Sequence, residues 1–218
     1  MTAALCLDEH ASAEAALLPV AQLAVLLQAY QDQLARLAYH TDPAWLGNLP
    51  DGGVTAGTQE RAARLRTQLG LAPVRPDAFT LPAHRLALLE KPQLMAVLAA
   101  RALYAHRVAL CRCVDGAVLA QFRAMVGPHA LSALRAAAGP ESLAAPMPAH
   151  GTLADWAAEG YLHFTRDGAW REPSLQRLIQ LALPAAATGA PVVGASGDSD
   201  ALIALLPTLF PELAWLFG

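Results

Sequence analysis

Lysine is nearly absent from this chain: Lys91 is the sole lysine among 218 residues, so the positive charge is carried almost wholly by arginine. We read that mainly as codon bias in a GC-rich genome rather than as a selected arginine surface. The scarcity removes one chemistry at once. The Gly-x-x-x-x-Gly-Lys phosphate loop is missing, and Lys91 has no glycine cradle. Cysteine is also scarce. Cys6, Cys111 and Cys113 are too few for a disulfide framework and are expected to stay reduced in a cytosolic protein. Aromatics make up 6% and β-branched residues are sparse, which disfavours sheet. No apolar run reaches the ~20 residues of a membrane span. The apolar stretch from Ala15 to Leu27 is interrupted by Pro19 and Gln22 and preceded by Asp8, Glu9 and Glu14, the wrong charge for an export signal.

What is present is alanine, leucine, arginine and glutamine, residues that lose little on entering a helix. At 55% hydrophobic and 15% charged the chain can bury a real core. The expected fold class is all-α: a compact multi-helix domain over 1–183, a flexible linker over 184–200, and a short hydrophobic segment over 201–218.

Several helices can be placed. Val20, Leu23, Leu27, Tyr30, Leu34 and Leu37 recur at spacings of three and four, which predicts a helix from Val20 to Tyr39 that stops before Thr41-Asp42-Pro43. Trp45, Leu46 and Leu49 are expected to pin the following loop. A short helix is predicted from Thr58 to Leu69, closed by Gly70. Pro73, Pro76 and Pro82 make a rigid connector, with about two helical turns from His84 to Glu90. From Pro92 to about Cys113 the apolar residues surround the axis, which predicts a buried central helix. Asp115 caps the next helix, Gly127-Pro128 divides it from another running to Gly139, and Thr152 with Asp155 opens a further one as a capping box. Asp167-Gly168 is a turn and Pro173 starts the helix after it. Pro207 and Pro211 are expected to break the C-terminal segment. That segment docks on this protein's own core or, in the rival reading, in a partner's groove.

Net charge of −3 conceals a gradient. Residues 1–60 hold seven acids against Arg36 alone, whereas 61–135 hold ten arginines and Lys91 against Asp77, Glu90 and Asp115. The leading interpretation is solvated helix faces; the sharper one is a basic surface for an acidic partner or nucleic acid. Arg101 and Arg112 share an azimuth with Leu94, so each must pair internally, snorkel or meet a partner. Arg101, Arg107, Arg112 and Arg123 are the candidate partner-binding residues.

The search for chemistry is largely negative. Cys111-Arg112-Cys113 with His106 is metal-like, yet the two cysteines lie about 200° apart on a helix, and structural zinc needs four ligands. Buried apolar cysteines are the favoured reading. Ser196 falls short of a nucleophile elbow. His84, His106, His129, His150 and His163 show no sequence-near carboxylate arrangement of a base or relay. No catalytic, cofactor-binding or metal residue is assigned. A helical nucleic-acid-binding regulator and a small helical enzyme with spatially assembled histidines remain the alternatives.

The order of several weak motifs adds a resemblance. Arg85-Leu-Ala-Leu-Leu-Glu-Lys-Pro-Gln-Leu94, then Arg112-Cys-Val-Asp115, then Val126-Gly-Pro-His-Ala-Leu131 follow one another as in the SctK family of bacterial type III secretion. Tyr39-His-Thr-Asp-Pro-Ala-Trp-Leu46 and Leu175-Gln-Arg-Leu-Ile-Gln-Leu-Ala-Leu-Pro184 resemble its early and late patches. The chain departs from the family pattern in its linker and tail after Pro184. The resemblance implies a non-enzymatic cytoplasmic adaptor, peripheral to the inner membrane, that joins the SctD-type ring subunit to SctQ-type pods of the sorting platform. It implies no cofactor, no nucleic acid and no direct membrane insertion. Contact residues do not carry over from it.

Overall fold

The computed structural model describes residues 18–46, 58–137, 147–148, 151–185 and 198–217. Among them there is no strand; the elements are α-helices and short 3-10 turns around a shared core. The first helices are α1 (Val20–Ala35), α2 (Leu37–His40), α3 (Pro43–Leu46) and α4 (Thr58–Gln68). The centre holds α5 (Lys91–Ala105), α6 (Arg107–Arg112), α7 (Gly116–Val126) and α8 (Pro128–Ala136). The remainder is α9 (Leu153–Arg166), α10 (Pro173–Leu181), α11 (Asp198–Leu209) and α12 (Ala214–Phe217).

Local chemistry explains most boundaries. The Asp115 carboxylate accepts from the N–H groups of Ala117 and Val118 and starts α7. Gly127, at φ +85°, ends α7 in a conformation that favours glycine, and Pro128 begins α8. Thr152 and Asp155 form the expected reciprocal capping box of α9. Gly70, at φ +73°, ends α4, with the Leu71 N–H returning to Arg66 O at 2.9 Å. The proline-rich connector runs as two 3-10 turns, Pro76–Thr80 and Pro82–Leu88, rather than as extended chain.

Three expectations needed revision. The first predicted helix breaks at Arg36, and its buried line is Leu26, Tyr30, Gln33, Leu34 and Leu37, leaving Val20 in solvent. Gln33, a polar residue outside the predicted stripe, is buried because it donates to Leu89 O and to His40 Nδ1. The central helix ends at Ala105 rather than Cys113, the backbone bending at His106 before α6 begins. Finally, α11 runs through Pro207 and turns by 103° only at Pro211. Asp198, Ser199 and Asp200, placed in the linker by composition, form its first turn. Leu49, Gly139 and the linker residues 186–197 lie outside the described residues.

The core is organised around α5, on which Leu94, Val97, Leu98, Ala99, Ala100, Arg101, Ala102 and Leu103 are all fully buried. Helix α9 packs along it more extensively than any other pair of elements pack. One glycine permits that approach. A Cβ built on Gly160 would stand 1.7 Å from Leu98 O, far inside contact distance. Phe122 of α7 meets Trp156 of α9 edge-on at 5.3 Å, and α8 and α11 close the other sides, with α12 packed on α11 and on the Pro82–Leu88 turn. Leu202, Leu206, Leu209, Leu213 and Leu216 are buried, so the C-terminal segment docks on the protein's own core.

Two buried histidines are held neutral by burial, each with one ring nitrogen accepting a hydrogen bond. His40 Nε2 donates to Leu178 O while Nδ1 accepts from Gln33, and burial pushes its pKa down to about 4. His84 Nδ1 donates to Ala78 O while Nε2 accepts the Arg171 N–H, and burial again lowers its pKa. The backbone N–H facing His84 cannot reverse, so a proton on that ring meets another donor.

Two predictions follow from this packing. Gly160→Ala destabilises the protein by about 3 kcal/mol or more because the helices must separate. Gly116→Ala, where a Cβ meets nothing within 4 Å, changes stability by less than about 1 kcal/mol; urea denaturation of the two variants compares them. In acid, the unfolded chain binds protons at His40 near pH 6.5 that the folded chain refuses until about pH 4. Stability is therefore full above about pH 6.5 and falls by roughly 3 kcal/mol towards pH 4 from His40 alone. A His40→Asn variant shows a flatter loss over that window when melting temperature is followed against pH.

Candidate interaction surface

The four arginines singled out from the sequence have four different fates. Arg101 is fully buried, its Nε donating to Ser199 Oγ at 2.9 Å and its Nη2 to Asp167 Oδ2 at 2.8 Å. Ser199 Oγ also donates to Asp167 Oδ2 at 2.5 Å, and the guanidinium lies 5.9 Å from the Phe164 ring centroid. As a partner contact Arg101 is therefore ruled out. It lies on the buried central helix, where a charge must be neutralised inside the fold. Arg107 is partly covered. It donates to Asp198 Oδ2 and Tyr104 O, both at 2.9 Å, and sits over the Tyr104 ring at 4.5 Å. Arg101 thus holds the start of α11 against α5 and the turn after α9, and Arg107 holds it against the end of α5.

Arg112 and Arg123 are exposed and make no ion pair among the described residues. Arg112 ends α6, Val114 beside it is 93% exposed, and Arg135 of α8 donates to Cys111 O and Cys113 O beneath. This part of the molecule is basic, with Asp115 used as a helix cap. A nucleic-acid-reading helix needs polar residues free along one face, and α7 offers only Gln121 and Arg123. Gln121 is committed to Gly151 O at 2.8 Å.

The cysteine expectation was wrong. Cys111 is exposed and Cys113 half-buried, because α6 is a short surface helix rather than the end of the buried one. Neither joins His106. Ser196, His150 and Cys6 lie outside the described residues. His129 is exposed and donates to Thr208 O at 2.7 Å, bracing α8 against α11.

The structure does assemble one titratable cluster that the sequence search passed over. His106, where the helix bends, approaches Glu159 of α9 at 2.9 Å, and His163 one turn further along α9 approaches the same carboxylate oxygen at 3.4 Å. Glu159 and His163 stand four residues apart, a spacing that puts both on one helix face and that could have been read in advance. His106 could not, since it is 53 residues away. Arg166 Nη2 lies 3.1 Å from His163 Nδ1. An open groove of about 360 Å³ lies elsewhere, between α1, α4 and the 71–74 segment, lined by Tyr30, Leu34, Ala63, Arg66, Leu71 and Val74. It contains neither histidine nor carboxylate.

Comparison with protein-family models decides the class. Residues 17–212 match the family described as bacterial type III secretion protein (HrpB4). The chain belongs to the HrpB4 family. This is the SctK family that the motif order resembled. The match takes in α11 as well as the domain before it, although the tail had been read as a departure from the family pattern. No curated protein and no solved structure matches this family member.

The Arg101 network yields a prediction. Arg101→Ala removes the closer of the two arginines from the buried Asp167 carboxylate, leaving Arg166 at 3.8 Å from its other oxygen, and costs about 3 kcal/mol. Hydrogen exchange or limited proteolysis should show the loss first in 198–217. Unchanged protection there would mean that the network does not hold the segment.

Proposed function

We propose that the chain is a non-enzymatic cytoplasmic adaptor of type III secretion, joining an SctD-type subunit of the inner-membrane ring to SctQ-type pods of the sorting platform. The observation that carries this reading is the family match across residues 17–212. The character of the molecule is in keeping with it. No single described helix is long and apolar enough to cross a membrane, and the bent C-terminal pair that passes by composition has five of its six leucines buried in the core. Attachment near the membrane then runs through protein partners.

The exposed basic surface at Arg112 and Arg123 is the proposed contact with an acidic partner surface. Rim charges act mainly on encounter rate and on the salt dependence of binding. Arg101 has no part in it, and Arg107 contributes through the placement of α11.

Retention of purified SctQ-type and SctD-type partners on the immobilised full chain tests the proposal. Binding of at least one is expected. Arg112→Glu and Arg123→Glu weaken it by about tenfold when combined and flatten its salt dependence, since each reversal removes an attraction and adds a repulsion. Failure of both folded partners to bind removes the adaptor reading. Binding that is indifferent to both reversals places the interface elsewhere.

A further inference from the structure

The His106–Glu159–His163 cluster lies apart from the exposed arginines, and the adaptor reading makes no use of it. We propose that these three side chains form a binding site for a divalent transition-metal ion of the zinc type, held by the two imidazole Nε2 atoms and a Glu159 carboxylate oxygen.

The geometry is the first support. Ligand atoms from the three residues lie within 4.8 Å of one another, and two of the three separations are 2.9 and 3.4 Å. A tetrahedral ion with bonds of about 2.0–2.1 Å holds its nitrogen and oxygen ligands about 3.3–3.4 Å apart. Small side-chain movements therefore convert the hydrogen-bonded arrangement into a coordinated one. Glu159 and His163 come from adjacent turns of α9, the helix most firmly packed in the molecule, and His106 from the bend that ends α5. The three side chains are 14%, 1% and 7% exposed. Such burial fixes their rotamers before any ion arrives, and the edge of Trp156 against the His106 ring at 6.1 Å walls one side.

Donor chemistry selects the ion. Two imidazoles and one carboxylate suit zinc, cobalt, nickel or copper, whereas magnesium and calcium take oxygen ligands. Three protein ligands leave one position for water or a fourth group.

Proton positions define what binding requires. Without an ion, each Nε2 carries the hydrogen donated to Glu159, and His163 Nδ1 accepts from Arg166. Coordination at Nε2 moves that hydrogen to Nδ1 on each ring. His106 Nδ1 is buried without a hydrogen-bond partner, so it can take the proton without displacing anything. At His163 the Arg166 guanidinium must swing aside. Its side chain is 26% exposed, which leaves a route to solvent. Protons compete with the ion for both imidazoles.

The experiment uses the full chain stripped with a chelator and titrated with Co²⁺, whose visible absorption reports four-coordinate binding, and with Zn²⁺ or Mg²⁺ during thermal unfolding. Stoichiometric cobalt bands and a rise in melting temperature with zinc but not magnesium are expected. Glu159→Gln keeps the size and an acceptor for both histidines, so it folds, yet it weakens cobalt binding by at least about tenfold. His163→Gln is a second variant with the same expectation. A Cys111→Ser/Cys113→Ser double variant retains the bands. The proposal is overturned if stoichiometric cobalt gives no bands, if the bands survive Glu159→Gln at full affinity, or if they vanish with the cysteines.

Discussion

The close crossing of α9 over α5 is the constraint from which the rest of the molecule follows. Gly160 lets the backbone of one helix rest on the Leu98 carbonyl of the other, at a separation that any side chain would prevent. Two helices so close leave no room for large residues between them, and fully buried Ala99, Ala102 and Ala157 suit that limit. With α9 on one side, α7, α8 and α11 can occupy the others, and α5 loses contact with water almost throughout. A helix enclosed in this way sets the terms for every polar group it carries. Arg101 cannot reach solvent, so Asp167 and Ser199 must come to it.

Buried polar groups accordingly join segments that are distant in sequence. Arg101 links α5 to the turn after α9 and to the start of α11. Arg85 donates to Phe79 O and to Leu216 O, both at 2.9 Å, fastening the 3-10 connector to the last helix. His40 and His84 fasten the first helices and the connector to the region around α10. Each such group costs free energy unless satisfied, so misplacing any of these segments strands a donor or acceptor. Apolar burial holds the C-terminal leucines in the core, and the polar contacts decide where along the core they sit. The adaptor proposed for type III secretion is thus a single packed body over the described residues, with its tail as one wall.

Much of the local structure was legible in advance because it depends on short-range chemistry. Asp115, Gly127-Pro128, Thr152 with Asp155, and Gly70 each act within a turn of themselves, and each marks the boundary it was expected to mark. Burial was less legible. Val20 continued the 3-4 spacing of its stripe yet stands in solvent, since no element among the described residues covers that end of α1. Pro207 reads as a breaker, but α11 continues through it, while Pro211 ends it. Of the candidate contact residues, Arg112 and Arg123 lie on the surface, whereas Arg101 and Arg107 proved to be internal fasteners. Nothing within several residues of Arg101 announces Asp167 or Ser199.

By itself the sequence determined that the chain is helical, where most helices begin and end, and, through the order of its motifs, which secretion family it belongs to. Those properties rest on propensity, capping and pattern, all of which operate over a few residues. Tertiary structure decided which charges face water, that the C-terminal segment is part of the core, and that His106 meets Glu159, beside His163, across 53 residues. The helix bend at His106 and the missing side chain at Gly160 act through space, and spatial proximity between distant segments has no signature in local spacing.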